Sequence, residues 1–254
     1  MMQLTVFLRK EFLGGWRSKK IVICGVIFVI VGMLSPFLAK IMPDIFSSMV
    51  TEGIQITVSS PTSVDSWLQF YGNIGSLGLL VFVILFADTI CAEIEKGTLI
   101  NLITKGLSRQ TILFSKALYL YCLWTLFYGG AFLICQLYTR IYFDDSLTHQ
   151  LGSACFSYWL FGIFAISLLL LGSTFAKNVY QVLLFLAACY GIGVLLHFFD
   201  SFQKINPYSL SSQTIAYIQG ESELKTFVPA VLIAFAGSLL SLVISRSILQ
   251  KRKL

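Results

Sequence analysis

Charge is scarce in this sequence: Asp, Glu, Lys and Arg make up 12% of its 254 residues. Soluble domains carry about 25%. With 57% hydrophobic residues and a mean hydropathy of +0.82, a single water-soluble globule is excluded. Histidine is rarer still. Only His149 and His197 occur, neither in an H-E-x-x-H or Cys/His ligand spacing, which removes the usual metalloprotease and zinc patterns. The six cysteines, Cys24, Cys91, Cys122, Cys135, Cys155 and Cys189, contain no C-x-x-C pair. They read as buried apolar thiols with no required disulfide, although Cys135 and Cys155 fall near the outer ends of adjacent apolar runs. A G-x-x-x-x-G-K-[ST] phosphate loop is missing as well. A serine protease would need a Ser/His or Ser/Lys pair inside the apolar runs. Serines such as Ser173 and Ser241 are there, but the charged partners lie at the ends, so no catalytic residue is nominated.

What the sequence has is apolar length. A bilayer core about 30 Å thick is crossed by about 20 apolar helical residues. Six stretches qualify: Ile21 to Ala39, Ile74 to Cys91, Ala117 to Tyr138, Leu151 to Phe175, Val179 to Leu196 and Phe227 to Ile248. The expectation is an all-α polytopic membrane protein, one transmembrane domain over 1–254 with six transmembrane helices. The first run follows Arg9, Lys10, Arg17, Lys19 and Lys20, as a signal peptide's would, but it continues through Ser35-Pro36-Phe37 without a small-residue cleavage site. It therefore reads as an anchor, with Pro36 kinking or ending its helix.

Placing the N-terminus in the cytoplasm leaves only Lys40, Arg140, Lys204 and Lys225 outside and the other fourteen of the 18 Lys and Arg inside. Basic residues favour the cytoplasmic side, so both termini are expected there, in a multi-pass protein of the cell membrane. The net charge of +6 becomes a sided distribution facing anionic headgroups and calls for no nucleic acid.

Residues 1–20 form an expected interfacial amphipathic helix. Leu4, Phe7, Leu8 and Phe12 share one face, Arg9, Lys10 and Arg17 lie elsewhere, and Trp16 suits the headgroup level. Glu11 interrupts the apolar face; it is either hydrated among the headgroups or paired with a base such as Lys116 or Arg109. Asp88 is the most deeply embedded acid. Such residues are functional candidates, but near a helix end it either snorkels or pairs with Lys116, with proton coupling the less favoured role.

The expected cytoplasmic loop, 92–111, is the most informative segment. Leu99, Leu102 and Ile103 fall on one face of a short helix. Thr98 can cap its start, Lys105 and Gly106 suit its end, and Ser108 can cap the helix that becomes the third span. That amphipathic turn either lies on lipid or docks another protein.

Glu93-x-Glu95-x-Gly97-Thr98-Leu99, followed by Thr104, Ser108-Arg109 and Lys116, resembles the E-x-E-x-G-T-L and S-R pattern of the ABC-2 type transporter permeases. Lys10-Glu11-Phe12 ahead of the first span and Asn206-Pro207 ahead of the sixth are similar to further family features. One departure is Lys105-Gly106-Leu107, where the family often has proline. The resemblance implies the ABC-2 type exporter permease fold, in a homodimer or heterodimer that docks separate ATP-binding cassette ATPase subunits through a coupling helix at 97–104. Docking would involve Glu93, Glu95, Gly97, Thr98, Leu99, Leu102, Ile103, Thr104 and Arg109, with Glu11, Asp88 and Lys116 in internal salt bridges. ATP and Mg would sit on the partner ATPase, this chain would hold no cofactor or metal, and the cargo would be amphipathic or hydrophobic.

Two outer segments, 40–73 and 198–225, are either solvated loops or partly re-entrant, and relatives favour a re-entrant element in the second. Small residues in the fifth run, Ala187 with Gly191 and Cys189 with Gly193, suit close helix packing within the subunit or across a dimer. The competing functions are an ion-coupled secondary transporter, which usually needs intramembrane charge and internal repeats, and an intramembrane enzyme.

Overall fold

A computed structural model of the chain describes residues 2–49, 60–95, 97–98, 104, 108–145 and 147–252, with the side chains of 2–4, 44 and 46–49 left aside. Among these residues there are helices and turns and no strand. Six helical stretches are long and apolar enough to cross a membrane: Lys20–Pro43, Ser63–Glu95, Arg109–Tyr142, Leu151–Phe175, Val179–His197 and Leu224–Lys251. Each coincides with one of the six apolar runs.

The chain opens with α1 (Met2–Arg17), which turns into α2 (Lys20–Met49). Pro36 does not end α2; the helix continues through Pro36 and Pro43. The Ser35 hydroxyl donates to the Val31 carbonyl at 2.7 Å and accepts from Asn73 Nδ2 at 3.1 Å, so the hydroxyl beside the proline is satisfied from within the bundle. In an apolar surround, keeping helical hydrogen bonds costs less than unwinding into lipid.

The second span also starts earlier than its apolar run. Helix α3 (Ser63–Asn73) begins where Asp65 Oδ2 accepts from both the backbone N–H and the hydroxyl of Thr62, each at 2.8 Å. It passes through a π-helical segment, Ile74–Leu79, into α4 (Leu80–Phe86), and after a turn into α5 (Cys91–Glu95). Much of the supposed outer segment 40–73 is therefore helix, its residues 50–59 lying outside the described set.

Helices α6 (Arg109–Tyr142) and α7 (Leu151–Phe175) form the centre, α6 against α2 and α7 against α12 (Val228–Lys251). Trp67, Phe70, Trp124, Tyr128 and Tyr158 pack as a buried aromatic column, with Trp124 stacked on Tyr128 at 5.4 Å between ring centroids. Gly162 makes room for it: a Cβ there would lie 2.1 Å from the Trp124 ring. Helix α8 (Val179–His197) is peripheral, with Val182 its only buried residue. Gly193 is occupied within the subunit, facing Tyr208, whereas Gly191 faces open space.

Residues 198–225 form three short helices, α9 (Asp200–Gln203), α10 (Ser209–Ser212) and α11 (Thr214–Gln219), folded back on the spans. Asn206 Nδ2 donates to the Gly193 carbonyl at 2.7 Å, and Ser157 Oγ donates to the Leu210 carbonyl at 2.6 Å. Both contacts lie inside the ends of α8 and α7, roughly 6–9 Å along each helix at 1.5 Å per residue. This gives Asn206-Pro207 a structural role, since the buried Asn206 carboxamide also accepts from the Tyr208 amide at 3.0 Å. All six cysteines are free, Cys135 and Cys155 included. Cys122 departs from the expected burial: it is exposed on the outward side of α6, where an apolar surround suits a thiol as well as a core does.

Candidate functional site

One face of the bundle gathers the start of α2, α6 and the end of α12, together with α1 and α5. Ser108 caps α6, its hydroxyl accepting from the Thr111 amide at 3.1 Å, as the sequence suggested. Two turns further on, Lys116 projects inward with its side chain only 2% exposed. An isolated ammonium there would carry a large desolvation penalty, and two carboxylates answer it. Glu11 Oε1 comes from α1 at 3.3 Å and Glu93 Oε1 from α5 at 3.1 Å. Lys10 closes the ring, reaching Glu93 at 3.2 Å and Glu11 at 3.4 Å. Two cations and two anions thus alternate, with the Phe7 ring alongside, 4.5 Å from Lys10 Nζ and 6.0 Å from Lys116 Nζ. Glu93 Oε2 is buried and makes no hydrogen bond among the described residues.

The network ties α5 to both α1 and α6. Beyond α5 the chain turns at Gly97, whose φ of +64° lies in the left-handed region that favours glycine. The Gly97 amide donates to the Ile94 carbonyl at 3.1 Å, and the Thr98 hydroxyl reaches back to the Glu93 carbonyl at 3.2 Å. Glu95, Thr98 and Thr104 are exposed. Leu99, Leu102 and Ile103, expected to form the apolar face of a coupling helix, lie outside the described residues, as do Lys105 and Gly106.

Of the bases left open for Glu11 the structure pairs Lys116, and two other pairings that the sequence left open are not made. Asp88 does not meet Lys116; both its oxygens lie 2.6 Å from Lys20 Nζ at the head of α2. The turn after α4 brings Asp88 beside the start of α2, and Lys116 is already neutralised by Glu11 and Glu93. Arg109 does not meet Glu11 or turn towards the 93–98 segment. Its Nη1 donates to the carbonyls of Leu249, Gln250 and Arg252 at 2.6, 2.9 and 2.9 Å, capping α12 where the helix dipole is negative. Arg252 in turn donates to the Thr174 and Ala176 carbonyls at 2.5 and 3.3 Å, closing the end of α7. Lys10, Lys20 and Arg252 were not singled out as site residues. Lys10 had a signal in its place beside Glu11; the other two depend on which helix ends become neighbours.

At the opposite face, the Asp145 carboxylate accepts from the Ser63 hydroxyl and from its backbone N–H, the latter at 2.8 Å, joining the end of α6 to the start of α3. Burial pushes the Asp145 carboxyl up, but the Ser63 hydroxyl, its amide and the Leu147 amide outweigh this and hold it below its ordinary value.

The chain matches the model of the family described as "ABC-2 family transporter protein" over residues 5–254. It belongs to the ABC-2 transporter family. The match spans the charged network, the Glu93–Thr98 segment and all six spans. A similar protein, an uncharacterized transmembrane protein YxlG of Bacillus subtilis (strain 168), is 23% identical over 196 residues, covering 76% of this chain and 74% of the relative. This ABC-2 chain is a multi-pass membrane protein of the permease type rather than an enzyme.

Proposed function

We propose that this ABC-2 protein is the permease subunit of an ATP-driven exporter, with its N- and C-termini in the cytoplasm. Two permeases, alike or different, would enclose a pathway for amphipathic or hydrophobic cargo. Separate ATP-binding cassette subunits would bind ATP and Mg and dock on the cytoplasmic loop 92–111. Within that scheme residues 1–20 form the interfacial helix, and 198–225 re-enter from the outer side.

The observation that carries this reading is the position of Glu93. It stands at the head of the Gly97 turn, and its carboxylate is held by Lys116 of α6 and Lys10 of α1. A partner pressing on Gly97–Thr104 would pull on a buried ion pair rather than on a loose loop. Because that pair sits in a poorly hydrated site, its geometry is stiff and displacement passes to the spans. The docking set narrows to Glu95, Gly97, Thr98 and Thr104, with Leu99, Leu102 and Ile103 as its apolar part. Glu93 acts through Lys116, and Arg109 serves α12.

The ion-coupled alternative would use Asp88 as carrier, but Lys20 already engages both its oxygens. Purification of the tagged chain from its own membranes is expected to recover a nucleotide-binding subunit. Reconstituted chain that moves cargo down an ion gradient with no ATPase present would refute the proposal.

A further inference from the structure

The second span consists of two unlike halves joined by the π-helical segment Ile74–Leu79. A π turn closes its hydrogen bonds from i to i+5, so it holds one residue more than an α turn. On one side of the segment, α3 is fixed in rotation by polar contacts to its neighbours. The Ser63 amide donates to the Asp145 carboxylate at 2.8 Å, Ser66 Oγ lies 2.6 Å from Thr139 Oγ1, and Asn73 Nδ2 donates to Ser35 Oγ at 3.1 Å. Trp67, Phe70 and Tyr71 add a buried aromatic face. On the other side, α4 has the sequence LVFVILF and carries no polar side chain. Only Phe82 and Phe86 are buried in it, against Trp124 and Tyr119, with ring centroids 5.7 and 6.0 Å apart.

The rotation of a helix is specified by an apolar stripe against a polar one, and α4 has no such contrast. If the π turn closed into α-helix with α3 held in place, each residue from Leu80 onward would advance by one position, about 1.5 Å along the axis and about 100° around it. Val81 would take the place of Phe82 beside Trp124, and Leu85 that of Phe86 beside Tyr119. Both are apolar and already half-buried next to the residues they would replace. On the lipid side, Leu79 and Val83 would take the exposed places of Leu80 and Ile84. The second register therefore sets apolar side chains against the bundle and against lipid, as the first does. A turn at 87–90 separates α4 from α5, so α4 has a joint at each end.

We propose that residues 74–79 are a register joint and that α4 occupies two rotational registers, one with the segment π-helical and one with it α-helical. Helix α3 stays in place while α4 screws by one residue, and the two forms exchange on the μs–ms timescale of helix register shifts. Because α4 leads through the 87–90 turn to α5, the same motion displaces the helix that carries Glu93. That it takes up the stroke of an ATPase rests on the exporter reading; the two registers do not.

Deleting Ser76 tests the joint in the full chain reconstituted in nanodiscs. Ser76 is exposed, and its hydroxyl donates within its own helix, to the Gly72 carbonyl at 2.8 Å. Its removal takes out the surplus residue and leaves α4 in the register it already has, so the deleted chain is expected to melt within a few degrees of wild type. Deleting Leu126, also exposed but in the uninterrupted helix α6, turns Tyr128 and Cys135 away from the core and is expected to lower the melting temperature far more. Spin labels at Ile84→Cys and Leu133→Cys, both lipid-facing positions, read the register by their separation once Cys122, Cys155 and Cys189 are changed to serine. The labelled chain with Ser76 is expected to give two distances and the chain without it one. Equal destabilisation by the two deletions, or the same distance distribution with and without Ser76, overturns the proposal. With the ATPase bound, ATP is expected to shift the balance between the two distances; two distances that ATP leaves unshifted would contradict the coupling role and uphold the joint.

Discussion

At the scale of single residues, charge is scarce inside this protein and therefore consequential. Lys116 is buried because Glu11 and Glu93 meet it, and each carboxylate tolerates its own partial burial because Lys116 and Lys10 do the same in return. Removing one member leaves the others uncompensated. Lys116→Met is expected to lower stability by about 3 kcal/mol, read as thermal unfolding in detergent, and to lose less in a Glu11→Gln/Glu93→Gln background where no carboxylates remain to repel one another. Equal losses in both backgrounds would mean that the ion pairs contribute nothing. Asp145 gives a pH-dependent case. Its carboxyl is held below its ordinary value, so the link to Ser63 is fully stabilising above the unfolded pKa, about 3.9. That contribution disappears as pH falls through the lower folded value. Wild type should lose stability relative to Asp145→Asn on acidification below about pH 4, by a modest amount because the group is largely exposed. Parallel melting curves for the two proteins would contradict this. Gly162→Ala should cost about 1–3 kcal/mol through overpacking, because the obstructing Trp124 ring is rigid and its Nε1 is committed to the Trp159 carbonyl at 3.1 Å.

At the scale of elements, the helix ends are closed by side chains from elsewhere in the chain. Arg109 caps α12 and Arg252 caps α7, so the beginning of α6 and the ends of two other spans form one unit. Arg109→Gln should speed amide exchange over the last turn of α12, residues 248–252, while leaving the 93–98 segment unchanged. Faster exchange confined to 93–98 would restore Arg109 to the loop. The sequence showed these elements unevenly. Six spans were legible because lipid demands about 20 apolar residues for each crossing, whereas Glu11 was only half legible: a carboxylate on an apolar face needs water or a cation, and the sequence left both open. Span lengths were not. Helix α2 runs past Ala39 and α3 begins before Ile74, since helical hydrogen bonding continues where hydropathy has already fallen. The choice of Lys20 rather than Lys116 for Asp88 depended on which spans lie side by side, which periodicity along one helix does not report.

At the scale of the whole molecule, the charged side chains concentrate at the helix ends and the spans between them are almost purely apolar. The bundle's interior is built on an aromatic column, and hydroxyls buried along it are bonded to carbonyls of their own helices, Ser167 to Ile163 and Ser238 to Ala234 among them; in the proposed function the driving force enters from outside the spans. Glu93 is the point through which it would pass, joined to α1 and α6 at once. The most direct measurement is ATP turnover by the co-purified ATPase, reconstituted with wild-type permease or with Glu93→Gln. Wild type is expected to stimulate turnover, while Glu93→Gln assembles the same complex and loses most of that stimulation. Full stimulation by Glu93→Gln would contradict the coupling route, and failure to obtain any ATPase complex with wild type would contradict the exporter assignment.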